Sequence, residues 1–207
     1  MKTKKSPFTA QHSPFDSHPD RIKWNDRFSN PKGQWTLEPS ELSLRAMAEG
    51  IPDGPVLELA CGISGNALNL AQVGREILAV DISDVALGQL QVSAEKRHIA
   101  SHLTCIQADL NVWRPPESLA YALVIGVMYW EAAVFDYACK AVAKNGLIAW
   151  QGFSLDQLNY RPSQKAAWCF KPGEPATRLP DTFEVLYEED IDDGHRAIRR
   201  MIARKHG

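Results

Sequence analysis

The sequence predicts an α/β fold, with a mostly parallel sheet, helices on both faces and an antiparallel hairpin at the C-terminal side. Short runs rich in Val, Ile and Leu, at residues 55–57, 76–80 and 103–108, alternate with helical patterns, as buried parallel strands do. Each run is closed or followed by a carboxylate: Glu58, Asp81 and Asp109. Two late strand patterns, 183–187 and 197–203, are joined through Asp192-Asp193-Gly194, and Asp-Gly between strand patterns marks a hairpin. Parallel strands end on one edge of their sheet. The three acids are therefore expected to line one crevice there, where open α/β sheets bind ligands.

Taken in order, residues 1–20 combine Pro7, Pro14 and Pro19 with polar residues and read as a mobile arm, ahead of a single domain over 21–207. A short helical pattern follows, with Trp24 and Phe28 one turn apart. Asn30-Pro31-Lys32-Gly33 ends it, a turn able to act as a hinge. Ser40 is a plausible N-cap for a helix through Ala48. Strand 1 ends at Glu58, and the small-residue loop Ala60-Cys61-Gly62-Ile63-Ser64-Gly65-Asn66 leads to a helix stopped at Gly74. Strand 2 ends at Asp81, Ser83 caps the next helix, and strand 3 ends at Asp109. Tyr121–Val127 is a fourth strand. Val134, Ala138, Ala141 and Val142 mark a helix by their spacing, and a fifth strand runs over 147–151. Residues 152–179, with Pro162, Pro172 and Pro175, show too little periodicity for an element.

Hydrophobic residues make up 44% and charged residues 23% of the 207, ordinary values for a soluble globular chain. A net charge of −2 speaks against nucleic acid or an anionic membrane as the main partner. The basic cluster Lys2, Lys4 and Lys5 is not followed by an apolar segment, so no secretory leader is expected, nor a membrane span. Cys61, Cys105, Cys139 and Cys169 form no C-x-x-C pair, and a reducing cytoplasm is the simplest setting. His98 and His102 stand four apart at a helix end without a third ligand, so no metal site is expected.

The loop at 60–66 has glycines only at positions 62 and 65. A nicotinamide-binding turn needs its glycines for the approach of a pyrophosphate, and an acid such as Glu58 beside it would repel phosphate. S-adenosylmethionine has an ammonium, a sulfonium and no phosphate, and suits that acid better.

Val56-Leu57-Glu58-Leu59-Ala60-Cys61-Gly62-Ile63-Ser64-Gly65-Asn66 resembles the first motif of class I S-adenosylmethionine-dependent methyltransferases. Ala79-Val80-Asp81-Ile82-Ser83 resembles their second motif, and Gln107-Ala108-Asp109-Leu110 their third. The likeness extends to the compact bacterial enzymes of the tellurite-resistance and thiopurine type. Lys23-Trp24-Asn25-Asp26-Arg27-Phe28 is similar to their aromatic N-terminal helix, and Phe170-Lys171-Pro172-Gly173-Glu174 to a segment before their closing strands. The resemblance implies a Rossmann-like, seven-stranded sheet. It implies that Gly62 and its neighbours Glu58, Ala60, Cys61 and Asn66 contact the methionine part of the cofactor. Asp81 would hold the ribose hydroxyls, Asp109 the adenine amino group, and Ile82 with Leu110 would sandwich the ring. Gly126 and Trp24 complete the cofactor set. Ala60 and Ser64 depart from the usual glycines, and Ala122 from an acid often found early in the fourth strand.

A sulfonium methyl is already activated, so the protein mainly aligns and desolvates it. A thiolate, selenolate or metalloid oxyanion needs no general base; a hydroxyl or amine does. Tyr129 and Glu131, after the fourth strand, are the candidates for proton transfer, although Glu131 also suits a plain helix start. No N-P-P-[YF] element follows that strand, which favours a small-molecule acceptor over nucleobase or protein. A nicotinamide-dependent oxidoreductase and a non-catalytic nucleoside-binding module are the rival classes. Asp81→Ala is expected to lower cofactor affinity while leaving the fold intact.

Overall fold

The computed structural model describes residues 14–30 and 35–207. Its elements follow from local chemistry. Helix α1 (Pro19–Ser29) starts with proline, whose missing N–H costs nothing in a first turn. Helices α2 (Glu41–Ala48), α3 (Gly65–Gln72) and α4 (Asp84–Lys96) each begin after a serine, at positions 40, 64 and 83. Each serine hydroxyl accepts a backbone N–H of the first turn that the helix itself leaves unpaired.

Strands β1 (Val56–Leu59), β2 (Ile77–Asp81), β3 (Leu103–Gln107) and β4 (Tyr121–Val127) are followed by α5 (Ala132–Ala141) and β5 (Val142–Ser154). A single-turn helix α6 (Gln157–Tyr160) and strands β6 (Cys169–Phe170), β7 (Phe183–Asp192) and β8 (Ala197–Lys205) complete the chain. The sheet order is β3-β2-β1-β4-β5-β8-β7. β1 to β5 pair in parallel, and β8 runs antiparallel between β5 and β7. Strand order reverses beside β1, which puts the ligand crevice above the carboxyl ends of β1 and β4.

Alternation along the strands makes two cores. Val56, Ala79, Leu123, Ile125 and Ala149 pack against Leu42 of α2, Leu68 and Ala71 of α3 and Leu90 of α4. Leu57, Leu59, Val80, Val124 and Trp150 pack on the other face against Val134, Phe135 and Ala138 of α5. A sheet buried on both sides explains why its strands read as unbroken apolar runs.

The expected architecture stands, with four differences. The sheet has eight strands rather than seven, because β6 pairs with β5 over Phe153 and Ser154; two residues among prolines carry no period. β5 starts at Val142, through an irregular register with β4, and is longer than the apolar stretch that marks it. β3 stops at Gln107, and Asp109 lies in the turn beyond, accepting the Asn111 N–H at 2.9 Å. Finally, α1 begins inside the span read as an arm; residues 1–13 and Pro31, Lys32 and Gly33 of the turn read as a hinge fall outside the described residues.

Candidate active site

β1 delivers Glu58 to the carboxyl edge, and the chain then turns sharply. Ala60 (φ +51°) and Gly62 (φ +56°) both adopt the left-handed region, which costs an L-residue about 1–2 kcal/mol. Ala60 bears this cost at a position where the resembling family has glycine. Gly65 has a different reason. A Cβ there would lie 2.1 Å from the Glu38 carbonyl oxygen, so glycine lets the segment before α2 close on the loop.

Glu58 is buried and turned into its own loop. It accepts from Ser64 Oγ at 2.6 Å and Asn66 Nδ2 at 3.0 Å. The Asn66 carbonyl in turn accepts the Ser40 N–H at 2.7 Å, so both ends of that amide hold protein groups. Burial pushes the Glu58 carboxyl up to about 7, against the opposing pull of the Ser64 and Asn66 hydrogen bonds. From the ordinary 4.5 up to about 7, the folded chain holds a proton that the unfolded chain has released. The contribution of Glu58 is thus fully present below the unfolded value and is lost as the pH rises through the folded one. Burial raises Asp81 in the same direction. We expect the unfolding midpoint to fall between about pH 5 and pH 8, and Glu58→Gln to flatten part of that slope. A thermal melt series across pH for both chains checks this; equal slopes would contradict it.

Asp81 closes β2 with both oxygens engaged. Oδ2 accepts the Gly62 N–H and Oδ1 the Ser83 N–H, each at 2.8 Å. Asp81 thus fastens the first loop to the strand beside it. Asp109 Oδ1 accepts from Asn111, and Oδ2 lies 3.4 Å from His18 Nε2. Leu110 is buried in the α5-side core, and Ile82 is half-buried with its carbonyl accepting from Gln107. Cys61 is held in the loop with its thiol pushed well up by burial, which rules against a nucleophilic thiolate at neutral pH. Gly126, the residue before the last of β4, lies against Trp150, where a Cβ would meet the indole at 2.8 Å.

Helix α1 lies across this edge. Arg21 forms a two-bond pair with Asp84 at 2.8 and 3.0 Å, and Asn25 bonds both Asp84 and Ser83 at the start of α4. Burial alone would raise Asp84, but the Arg21 and Asn25 bonds outweigh it and hold the carboxyl below its ordinary value. Phe28 sits directly on the loop, with its Cζ 3.0 Å from where a Gly62 Cβ would be. Trp24 stacks on Phe28 with centroids 5.9 Å apart, and Trp35 meets Phe28 from elsewhere at 4.7 Å. The sequence singles out Trp24. The residue against the glycine is Phe28, and His18, Arg21 and Asn25 join it. Their signal was available only as the i, i+4, i+7 spacing of 21, 25 and 28, which marks one helix face.

Beyond β4, Tyr129 is half-buried, with its phenol raised well above the ordinary value by burial first, then by the neighbouring Tyr137 and by nearby carboxylates. It stays protonated at neutral pH. Glu131 occupies the N-cap position of α5 without making a side-chain cap bond. Among the described residues no group of three His, Cys, Asp or Glu side chains is placed to hold a metal ion. His102 pairs with Glu76 at 2.7 Å. A shallow concavity of about 620 Å³, lined by residues including Asp53, Gly54, Arg75 and Glu76, opens near the start of β1 and β2. It holds none of the residues expected to contact the cofactor or to transfer a proton.

Residues 56–146 match a family model described as a methyltransferase domain. Among solved structures, the fold is similar to magnesium protoporphyrin IX methyltransferase from Synechocystis PCC 6803 with bound SAM. That protein is 17% identical over 90% of this chain and 95% of its own, with a TM-score of 0.66. TehB from Haemophilus influenzae is 17% identical over 88% of this chain and 67% of its own, with a TM-score of 0.67. The cyclase SpnF is 12% identical over 80% of each chain, with a TM-score of 0.64. At these identities the likeness shows the fold, the class I methyltransferase architecture. No curated protein sequence matches.

Proposed function

From a methyltransferase domain over residues 56–146 on the class I fold, we propose that this chain is an S-adenosylmethionine-dependent methyltransferase of a small molecule. The acceptor is a thiol or a selenium or tellurium species. The observation that carries the cofactor reading is the Gly62 N–H bonded to Asp81. In a dinucleotide site that part of the loop faces a pyrophosphate; here a carboxylate occupies its donor, beside a second buried acid, Glu58. Phosphate is repelled, and a cationic, phosphate-free nucleoside is favoured. This counts against the nicotinamide alternative.

The residues fit that group. An ionised carboxylate offers about four acceptor positions, and the two N–H groups on Asp81 leave capacity for two ribose hydroxyls. Asp109 retains the same capacity toward an adenine amino group, with Leu110 and Ile82 on apolar flanks. Glu58 acts from behind the loop, setting its shape through Ser64 and Asn66, and a cationic ligand above it would favour its ionised form. The cofactor supplies a methyl group made electrophilic by its sulfonium. The chain aligns the acceptor and excludes water, with Phe28 and Trp24 as the cover. A soft anion then needs no base. For an acceptor that carries a proton, Glu131 is the group to take it. Its carboxylate has no hydrogen-bond partner among the described residues, whereas Tyr129 is held protonated and can only donate.

The chain works as a single domain over 21–207, in the cytoplasm. All four cysteines are free, in keeping with a reducing compartment, and none of the described helices is long and apolar enough to cross a membrane. Calorimetric titration with S-adenosylmethionine, S-adenosylhomocysteine and NAD tests the reading. Both sulfur nucleosides should bind in preference to NAD, and binding of NAD alone would sink it. A methyl-transfer screen over thiol, selenite, tellurite, phenol and amine acceptors then separates an enzyme from a binding module.

A further inference from the structure

The roof of the crevice contains cations that pair with no acid among the described residues. Arg21, Arg178, Arg199 and Arg200 all meet carboxylates within 4 Å. Lys23, Arg27 and Lys165 meet none among the described residues, in a chain with 25 acids to 23 bases. They lie instead against indole faces. Lys23 Nζ is 4.9 Å from the Trp24 ring centroid and 4.3 Å from that of Trp168, and Lys165 Nζ is 4.7 Å from Trp168. Arg27 stands 5.3 Å from Trp24. An ammonium over an indole gains a cation–π attraction but keeps donors free for an anion.

The cluster adjoins the cofactor loop. Phe28 covers Gly62, Trp24 stacks on Phe28, and Lys23 links Trp24 to Trp168. Trp168 immediately precedes β6, which pairs with the carboxyl end of β5 on the same edge of the sheet. Trp168 is 37% exposed, which leaves apolar surface open beside β6.

We propose that this cluster is the acceptor subsite and that it takes an anionic aromatic molecule, its ring against Trp24 and Trp168 and its charge on Lys23 and Lys165. The proposal rests on the methyltransferase reading and narrows it. A bare oxyanion would use the cations and leave the indoles idle. A neutral apolar acceptor would cover the indoles and leave two ammonium groups unanswered. An aromatic anion uses both.

The test is calorimetric binding of 4-(methylthio)benzoate and of 4-(methylthio)benzamide, which share a ring and differ in charge. The full chain is used with and without S-adenosylhomocysteine. The acid should bind about tenfold tighter than the amide, the size of one charge-assisted bond. In a Lys23→Gln/Lys165→Gln double variant the two affinities should converge, and Trp168→Ala should weaken both ligands alike. Thermal melts confirm that each variant is folded; for a variant that is not, Lys165→Gln alone, at an exposed position, should still lower the ratio. Equal binding of acid and amide by the unaltered chain, a preference that survives both lysine changes, or no binding of either ligand would each overturn the proposal. Loss of S-adenosylhomocysteine binding with the acid preference intact would strike the methyltransferase reading alone.

Discussion

Asp81→Asn is expected to weaken S-adenosylhomocysteine binding at least tenfold, measured by calorimetry on the folded variant. Hydrogen bonds to a charged group contribute about 1.5–3 kcal/mol each, and the amide has neither the charge nor the acceptor capacity for two hydroxyls. Alanine at the same position is a different experiment. Sequence alone predicts an intact fold, but Asp81 is 7% exposed and satisfies the N–H groups of Gly62 and Ser83. Removing the carboxylate strands two buried donors, at about 1–3 kcal/mol apiece. Asp81→Ala should therefore also lower the unfolding free energy by roughly 2–6 kcal/mol, and the first loop should lose its tie to β2. Cofactor affinity unchanged in a folded Asp81→Asn chain would remove Asp81 from the site. Asp109→Ala should cost less, because Asp109 lies in a turn and, on the proposed reading, the adenine would keep its apolar flanks.

Deleting residues 1–30 is expected to lower turnover on the order of 100-fold, the scale of a misaligned reacting pair, while the thermal midpoint falls comparatively little. Eleven residues are too few for a stable isolated helix, so α1 owes its form to docking. The docking is polar at Ser83 and Asp84 and aromatic at Gly62 and Trp168. The two large cores under the sheet do not include it. A cover attached this way can open and close without disturbing the fold. Hydrogen exchange over residues 20–35 should slow when S-adenosylhomocysteine binds. Equal protection with and without it would make α1 ordinary scaffold and end the idea of a lid.

Much of this protein was determined by sequence because the signals are local. Buried strands between helices leave unbroken apolar runs. Ser40, Ser64 and Ser83 stand where helix starts need acceptors, and three acids stand within two residues of three strand ends. Each of these rests on residues within a few positions of one another, so the α/β sheet and its ligand edge could be read directly. Other features were decided by tertiary structure. The Asp81–Gly62 bond joins groups 19 residues apart. Phe28 reaches Gly62, and Lys23 reaches Trp168, across still longer separations. β6 exists only because β5 offers it a partner. The orientation of Glu58 toward Ser64 and Asn66 depends on burial, which no strand-end pattern specifies. Such contacts form only once the sheet has closed the intervening loops and set the geometry, so no periodicity in the chain announces them.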